Sequence, residues 1–346
     1  MRALTFGGVR TIRCESVPDP APVHDGDAIV QVELAGLCGS DLHVWHGREV
    51  GLDEGTVMGH ELVGRVVAAG PGARVHAVGT RVVAPFSTCC GRCFYCARGL
   101  SARCPEGALL GWVQNGAGLH GAQAGFVRVP HADASLVAVD EDLPAELALL
   151  LADVVPTGWN VARLGGFAPG DVVVVLGCGP IGLAAIVAAR EQGAGRVFAV
   201  DTVAERLALA GRFGGEPLAP DPGALLAVRD ATAGRGADAA LEAVGSPEAS
   251  RLAFDLVRPG GVVAIAGVHH ESQFAFSPLE AYDRNLTLRI GRCSARSLMD
   301  ELLPLLRRRR DLAAIVTHRR PLADGAAAYA MFDRKEDGCI KVMFEP

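Results

Sequence analysis

Residues 171–201 read DVVVVLGCGPIGLAAIVAAREQGAGRVFAVD, and this stretch decides the fold of the chain. An apolar strand pattern runs directly into a glycine motif, which is followed by a helical pattern, a second strand pattern and an acidic residue. The motif is Gly177-Cys178-Gly179-Pro180-Ile181-Gly182, and the acidic residue is Asp201, 19 residues later. A glycine motif alone is a weak signal. Strand, glycines, helix, strand and acid in this order form the dinucleotide-binding fingerprint of a βαβ unit.

The fingerprint predicts how a dinucleotide binds. Glycines let backbone N–H groups and the N-terminus of the helix approach a pyrophosphate. Asp201 is expected to accept hydrogen bonds from the adenosine ribose hydroxyls, and its charge would repel a 2′-phosphate. The sequence therefore favours NAD over NADP. An ordinary turn between strand and helix does not explain an acidic residue at this spacing.

Beyond Asp201 the alternation of strands and helices continues. Helical and strand patterns follow one another up to a pattern at 286–290, which would supply a sixth strand. Such alternation predicts an α/β fold with a doubly wound parallel sheet. The patterns from residue 297 onwards do not extend the alternation, so we expect them to pack back on the first domain.

The N-terminal part of the chain has a different pattern. Short alternating runs of apolar and polar residues, separated by glycine and proline turns, predict a β-rich, barrel-like domain. The clearest strand patterns are at 28–35, 64–69, 80–85 and 125–130. With the C-terminal return, we predict one domain from residues 1–155 and 292–346 and a second from residues 156–291. A length of 346 residues is typical of two domains.

Residues 38–61 carry the side chains that zinc takes as ligands. The segment contains Cys38-Gly39-Ser40-Asp41-Leu42-His43 and, further on, Gly59-His60-Glu61. A catalytic zinc needs three ligands of the Cys, His or carboxylate kind and an open position. Cys38 or His60 alone would more often be an ordinary core residue. The two together, beside Asp41 and Glu61, favour a metal site, and we expect Cys38 and His60 on loops of the β-rich scaffold.

Asp153 is a further candidate ligand. It ends an apolar helical pattern at 144–153. A carboxylate is costly to bury without a partner, so Asp153 either faces solvent at a helix end or binds a metal. The pattern alone leaves both interpretations open.

A cluster of cysteines predicts a second metal site. Cys90, Cys93, Cys96 and Cys104 are spaced by three, three and eight positions in a glycine-containing loop. Four thiolates can close tetrahedrally on one zinc and leave no open position, which is typical of a structural site. Cys89 is left over, either as a spare thiol or as a competitor of Cys90 for the metal.

Composition excludes several classes of protein. The net charge is −6, which argues against a nucleic-acid or acidic-membrane partner and against a nucleic-acid-binding zinc module. The one basic run, Arg307-Arg308-Arg309-Arg310, ends a helical pattern and is expected to be a solvated helix end. No apolar signal segment and no membrane-spanning run is evident, so we expect a cytoplasmic protein whose ten cysteines are reduced thiols or metal ligands.

These motifs, in this order, resemble the zinc-dependent medium-chain alcohol dehydrogenase family along nearly the whole chain. The resemblance implies a GroES-like catalytic domain, a Rossmann nucleotide-binding domain and two zinc ions per chain. The catalytic zinc would be held by Cys38, His60 and Asp153, where many members have cysteine instead of the aspartate. Glu61 would be a fourth candidate ligand, and Asp41 would accept a hydrogen bond from His60 and fix its tautomer.

The resemblance also implies a reaction. Zinc would bind an alcohol oxygen as a Lewis acid, and hydride would pass to the nicotinamide of NAD. Ser40 would take the hydroxyl proton, and His43 would pass it to solvent through the cofactor ribose. Further cofactor contacts implied by the resemblance are Thr157 under the nicotinamide, Val268 beside its amide, Arg206 near the adenosine ribose and Lys341 at the pyrophosphate.

The substrate and the assembly follow less directly. Trp45, Phe86 and Trp112 fall where pocket-lining residues fall in the family, and would form an apolar pocket for aliphatic, cyclic or benzylic alcohols. Ordinary core packing is the alternative for all three. The family commonly forms dimers or tetramers through the nucleotide domain, and the apolar segments 261–268 and 286–290 could contribute to such an interface.

Three other functions remain compatible with the sequence. One is a polyol or formaldehyde dehydrogenase on the same scaffold. Another is a zinc-free reductase of the wider superfamily, although such enzymes lack the Cys/His pair. The last is an NAD-sensing or zinc-ribbon nucleic-acid-binding regulator, which would turn over no alcohol.

Overall fold

The computed structural model describes all 346 residues, which form two compact units. The first unit contains Met1–Pro156 together with Ser294–Pro346, and the second contains Thr157–Cys293. The chain therefore leaves the first unit once and returns to it with its last residues.

The first unit begins with nine strands and four helices, the last of which continues across the unit boundary. In chain order they are β1 Arg2–Phe6, β2 Ile12–Ser16, β3 Ala28–Leu37, α1 Gly39–Trp45, β4 Leu62–Ala69, β5 Arg81–Ala84, β6 Trp112–Gln114, β7 Ala117–Leu119, β8 Phe126–Val129, α2 Ala132–Ser135, β9 Val137–Ala138, α3 Ala145–Leu150 and α4 Val154–Gly165.

The second unit alternates strands and helices. They are β10 Val172–Leu176, α5 Pro180–Glu191, β11 Arg196–Val200, α6 Ala204–Arg212, β12 Glu216–Leu218, α7 Pro222–Ala231, β13 Ala237–Glu242, α8 Pro247–Leu256, β14 Val257–Ile265, α9 Pro278–Asp283 and β15 Thr287–Ile290. The C-terminal return adds α10 Arg296–Arg308, β16 His318–Pro321, α11 Gly325–Arg334 and β17 Val342–Glu345.

The second unit is a doubly wound sheet, as predicted. All six strands are parallel, in the order β12-β11-β10-β13-β14-β15. Strand β10 is an unbroken aliphatic run because helices cover both faces of such a sheet. The strand order reverses between β10 and β13, and ligands of open α/β sheets bind at the carboxyl ends of the strands beside such a reversal. The glycine motif follows β10 and therefore lies at that point.

The first unit is built on a seven-stranded, mostly antiparallel sheet. Its order is β16-β17-β3-β4-β5-β9, and β8 pairs with β3 at one end. The last strand of the chain, β17, is antiparallel to β3, with Val342 opposite Leu37. One buried core cluster contains residues from both chain ends, among them Leu4, Tyr329 and Phe344. The β-rich prediction and the expected packing of the C-terminal elements on it agree with this sheet.

Cys38 and His60 lie outside helices and strands, as predicted. Directly after Cys38, residues 39–45 form helix α1, because the Asp41 carboxylate accepts a hydrogen bond from the Cys38 backbone N–H at 2.9 Å and caps the helix start. The helix predicted at 144–153 is shorter than expected, because α3 ends at Leu150 and α4 begins only at Val154. Asp153 thus lies in the turn between two helices.

The prediction for the basic run at 307–310 can be compared with the structure. The basic run is not only solvated, since Arg307 pairs with Asp140 at 2.6 Å and Arg310 with Asp142 at 3.4 Å. Such exposed pairs stabilise a fold little.

Among the helices, none combines the length and the apolar character needed to cross a bilayer.

Asp27, at the start of β3, allows a test of the scaffold by pH. It is 1% exposed, and its Oδ2 accepts hydrogen bonds from the Val23 and His24 N–H groups and from Arg128 at 2.9–3.0 Å. Burial alone would raise the pKa of Asp27, but these donors lower it below its usual value. Because its pKa is lowered in the folded state, the Asp27 carboxylate stabilises the fold at pH values above its unfolded-state pKa of about 3.9. This stabilisation is lost as the pH falls through the lower pKa of the folded state.

We therefore expect Asp27→Asn to lower the free energy of unfolding by about 1–3 kcal/mol at pH 7. The difference from wild type should shrink below about pH 4. Urea unfolding at pH 7 and pH 3 measures it. Asp25→Asn, an exposed residue of the same loop, is the control and should change little. A penalty for Asp27→Asn that is equal at both pH values would contradict this account.

Candidate active site

Pairing of β3 with β4 brings Cys38 and His60 together. The strands are antiparallel, with Ala35 opposite Leu62. Cys38 follows the end of β3 and His60 precedes the start of β4, so residues 22 positions apart become spatial neighbours. Cys38 is also the N-cap residue of α1, which fixes the direction of its side chain.

Four donor atoms converge at this point. One ligand atom each from Cys38, His60, Glu61 and Asp153 lies within 4.8 Å of the other three. Cys38 Sγ is 3.6 Å from Asp153 Oδ2, and His60 Nε2 is 3.8 Å from the same oxygen. The exposed fractions of the four residues are 8, 9, 0 and 6%. Asp153 therefore does not face solvent at a helix end; it points into the donor cluster.

Asp41 and Ser40 flank His60 on its two nitrogens. His60 Nδ1 lies 3.3 Å from Asp41 Oδ1, and Ser40 Oγ lies 3.4 Å from His60 Nε2. Burial alone would lower the pKa of His60, but Asp41, with Asp153 and Cys38, raises it well above its usual range. When Nδ1 donates to Asp41, Nε2 is left facing the other donors, as in a metal-binding histidine.

Glu61 has a cationic partner that sequence reasoning placed elsewhere. Lys341 Nζ, on the approach to β17, lies 2.6 and 2.5 Å from the two Glu61 carboxylate oxygens. Lys341 is 1% exposed. The structure thus pairs Lys341 with Glu61, and the pyrophosphate contact expected of Lys341 stays a prediction. Glu61 raises the pKa of Lys341 although burial alone would lower it.

The donor cluster fits a zinc ion. Burial raises the pKa of the Cys38 thiol, so the thiol stays neutral at physiological pH unless a metal cation binds its sulfur. A thiolate, an imidazole and a carboxylate are zinc ligands, and three of them leave a fourth position open. Cys38, His60 and Asp153 are the three that would hold the ion. Glu61 is the fourth residue of the cluster and already carries its own counter-charge from Lys341.

The four predicted cysteines of the second metal site also converge. The sulfur atoms of Cys90, Cys93, Cys96 and Cys104 lie within 4.8 Å of one another. Backbone N–H groups around Cys93, that of Cys96 foremost, lower the pKa of its thiol to about 7. Four sulfurs without an open position are the donor set of a structural zinc.

Cys89 lies outside this set of four. It is 2% exposed, its N–H donates to Ser135 Oγ at 3.0 Å, and its thiol faces the Ala134 carbonyl at 3.8 Å. Burial raises the pKa of the Cys89 thiol. These contacts support the interpretation of Cys89 as a spare thiol.

The glycine motif of the second unit has the close packing that a phosphate cradle needs. Gly177 has a φ of +86°, and a Cβ at Gly182 would lie 1.6 Å from the Gly177 carbonyl oxygen. A Cβ at Gly179 would be 3.7 Å from Arg206 and nearer to nothing else. Helix α5 begins at Pro180 with no side-chain cap. The N–H groups of Ile181 and Gly182 in its first turn are therefore suited to an anion.

Asp201 and Arg206 lie beside this turn. The Asp201 carboxylate accepts hydrogen bonds from the N–H groups of Cys178 at 2.6 Å and Val203 at 2.8 Å. Arg206 Nη1 is 4.0 Å from Asp201, while Arg206 Nε is buried with no hydrogen-bond partner. A buried donor without a partner is costly. A dinucleotide placed on the turn would supply acceptors to it, so these residues fit such a cofactor.

The other two predicted cofactor contacts lie in different surroundings. Thr157 is on α4 and is 8% exposed. Val268 follows β14 and is 42% exposed. Its carbonyl packs against Gly245, whose N–H donates to the fully buried Glu242 at 2.8 Å. Glu242 thus holds the turn at Gly245 against which Val268 packs, a role that no sequence motif indicated.

The three predicted pocket residues separate into two groups. Phe86 lies edge-on to the His60 ring, with 6.4 Å between ring centres, and borders the donor cluster. Trp45 is a member of the buried core cluster that includes Phe344, and Trp112 packs against that cluster. The surroundings of the two tryptophans fit core packing, and their place in a substrate pocket stays a prediction.

Comparison with known families identifies both parts of the chain. A family model described as alcohol dehydrogenase GroES-like domain matches residues 24–141. A second, described as zinc-binding dehydrogenase, matches residues 180–308. The expected GroES-like domain and the family resemblance are both confirmed by these matches.

Individual relatives extend over most of the chain. A medium-chain reductase/dehydrogenase of Acremonium sp is 44% identical over 82% of this chain and 98% of its own length. Zinc-type alcohol dehydrogenase B of Aspergillus flavus is 37% identical over 96% of this chain and 79% of its own. Sorbitol dehydrogenase of Bacillus subtilis is 30% identical over 79% of this chain and 76% of its own.

A solved structure matches over the full length. The alcohol dehydrogenase TADH from Thermus sp. ATN1 superposes with a TM-score of 0.92 at 38% identity, covering 100% of this chain and 99% of that one. Sequence and fold therefore point to the same family.

The four-cysteine site predicts the effect of removing one ligand. Cys104→Ser should lower the zinc content by about one ion per chain and leave the other in place. The free energy of unfolding should fall by about 3 kcal/mol where free zinc exceeds the dissociation constant a hundredfold. Metal analysis and thermal unfolding measure the two effects. Cys89→Ser is the matched control, and loss of zinc in that variant would show that Cys89 is a ligand.

Proposed function

Because the chain belongs to the zinc-binding alcohol dehydrogenase family of medium-chain dehydrogenases, we propose that it catalyses the reversible, NAD-linked oxidation of primary and secondary alcohols to aldehydes and ketones. The observation that carries the proposal is the convergence of Cys38, His60 and Asp153 in one buried cluster beside Ser40. Three zinc ligands with a neighbouring hydroxyl are the parts that alcohol oxidation requires.

Each ligand side chain has a separate task in this proposal. Cys38, His60 and Asp153 would hold the zinc, and Asp41 keeps His60 in the tautomer that leaves Nε2 free. When bound, the zinc supplies Lewis-acid activation of the alcohol oxygen. Burial of the three ligands excludes water from their side of the site, which strengthens electrostatic interactions there.

Ser40 and His43 would carry the proton. Ser40 Oγ lies 3.4 Å from His60 Nε2 and so borders the ligand cluster, where it can accept the hydroxyl proton of the substrate. His43 is three residues further along α1, and residues three apart lie on the same face of a helix. Both side chains are half-buried, which allows His43 to pass the proton to solvent.

The cofactor would bind at the glycine turn. The first-turn N–H groups of α5 are suited to the pyrophosphate, and Asp201, with Arg206 beside it, is suited to the adenosine ribose. The carboxylate of Asp201 argues against the 2′-phosphate of NADP. Thr157 and Val268 remain proposed contacts of the nicotinamide.

The proposed substrate class is apolar alcohols. Phe86 beside His60 presents an aromatic edge to the donor cluster, which favours an aliphatic, cyclic or benzylic group. A polyol dehydrogenase is the second candidate, because one relative is a sorbitol dehydrogenase. The two differ in whether the pocket must bind several hydroxyls.

We also propose a homo-oligomer, a dimer or a tetramer. Strand β15 is at an edge of its sheet, so one side of its backbone has no partner strand. Exposed apolar side chains lie on and near it, with Ile290 at 54%, Leu279 at 76% and Tyr282 at 84%. A second copy could pair with this edge and cover these residues. The cytoplasmic location stays a prediction from the sequence.

Turnover of alcohols tests the proposed reaction. The wild type should form NADH in the presence of simple alcohols, while Cys38→Ser and His60→Ala should lower the rate at least about a hundredfold because activation of the alcohol is lost. NAD binding, followed by fluorescence titration, should persist in both variants. A preference for sorbitol over apolar alcohols would favour the polyol candidate. A wild type that binds NAD and oxidises no alcohol would instead favour a regulator.

The cofactor preference depends on Asp201. Replacement by Asn removes the charge with little change in size, so kcat/KM for NAD should fall about tenfold or more and the ratio of NADP to NAD activity should rise. Steady-state kinetics with both cofactors measures the ratio. Asp171→Asn, at the opposite end of β10, is the control. Equal use of NADP and NAD by the wild type would refute the assigned role.

A further inference from the structure

A buried chain of hydrogen bonds connects the C-terminal helix α11 to His60. Tyr329 Oη donates to Gln123 Oε1 at 2.9 Å. Gln123 Nε2 donates to the Gly36 carbonyl at 3.0 Å and lies 3.4 Å from Asp41 Oδ2. Asp41 in turn holds His60 Nδ1 through its other carboxylate oxygen at 3.3 Å. This series of hydrogen bonds ends at His60, one of the residues that would bind zinc.

The residues that form this series of hydrogen bonds are buried. Gln123 and Tyr329 are both 0% exposed, and Asp41 is 5% exposed. Gly59 lies against Gln123 so closely that a Cβ there would be 2.4 Å from Gln123 Cγ. Gln123 therefore has almost no freedom to move within the first unit.

The hydrogen-bond partners fix the orientation of the Gln123 amide. Its nitrogen faces two acceptors, the Gly36 carbonyl and the Asp41 carboxylate, so the amide oxygen must face Tyr329. Burial raises the pKa of Tyr329 well above its usual range. The Tyr329 hydroxyl thus remains protonated and able to donate.

The orientation of Asp41 depends on the donors around it. Its Oδ2 receives the Cys38 N–H at 2.9 Å and faces the Gln123 amide nitrogen. These two donors hold Oδ2 in place and thereby direct Oδ1 towards His60. Without Gln123, the Cys38 N–H and the His60 ring itself would be the remaining contacts of this carboxylate.

We propose that Gln123 and Tyr329 are positioning residues that hold Asp41, and through it His60, in the geometry that binds zinc. The inference rests on the proposed function, since it takes the Cys38, His60 and Asp153 cluster to be a zinc site. Neither residue belongs to a metal-ligand motif. They lie 82 and 288 positions from Asp41 along the chain, and only the fold brings them behind it.

Two variants separate the hydrogen bonds from the packing. Gln123→Met keeps the length of the side chain and removes its donors and acceptor. Tyr329→Phe removes one hydroxyl and keeps the ring that stacks on Phe344. Loss of a residue that orients a metal-binding histidine typically weakens metal binding about 10–100-fold. We expect about tenfold or more for Gln123→Met and a smaller loss for Tyr329→Phe.

The measurement is zinc release from the zinc-loaded protein to a chelating dye, which needs no catalytic activity. Zinc release from two sites should give two kinetic phases. The phase that is absent in Cys38→Ser belongs to the His60 site, and the phase that is absent in Cys104→Ser belongs to the four-cysteine site. The inference predicts faster release from the His60 site alone. The four-cysteine site of the same molecule should release zinc at the wild-type rate.

A packing variant on the same helix provides the matched control. Phe332 is 6% exposed on α11, and Phe332→Leu should lower thermal stability without changing zinc release from the His60 site. Wild-type release rates in both test variants would overturn the inference, and so would equal acceleration at both metal sites or the same acceleration in Phe332→Leu. If Gln123→Met does not fold, Tyr329→Phe decides the outcome. A wild type that holds zinc only at the four cysteines would refute the proposed function itself.

Discussion

Burial of acidic groups beside a thiol is the constraint on which the first unit depends. Asp153 and Glu61 are almost completely enclosed, and an isolated buried carboxylate is strongly unfavourable. Glu61 is compensated within the protein by Lys341. Asp153 and Cys38 are 3.6 Å apart, and a metal cation between them would allow both to be ionised at neutral pH. A bound zinc ion would therefore stabilise the ionised form of the cluster.

The C-terminal segment returns to the first unit and provides polar partners for the buried groups of the cluster. Strand β17 pairs with β3, the strand that ends at the cluster, and this pairing carries Lys341 to Glu61. Helix α11 brings Tyr329 to Gln123 behind Asp41. In both contacts the two residues are more than 200 positions apart along the chain. The C-terminal residues thus complete the surroundings of the cluster, although none of them is among the proposed zinc ligands.

The second unit depends on local geometry to a much greater degree. Its strand, glycine turn and helix are consecutive in sequence, and the contacts that require glycine, such as Gly182 against the Gly177 carbonyl, are made within a few residues. Asp201 reaches the same turn because β11 pairs in parallel with β10. A periodic apolar pattern and a fixed spacing are enough to specify such a unit.

The sequence by itself determined the doubly wound sheet, the β-rich first unit, and the cysteine, histidine and glycine motifs, because each is set by residues close together along the chain. It did not determine the helix α1 that begins directly after Cys38, the end of α3 before Asp153, the pairing of Lys341 with Glu61 or the support of Asp41 by Gln123. Those features depend on which side chains share one buried volume. That is decided by strand register and by the packing of distant segments, and a local pattern carries no record of either.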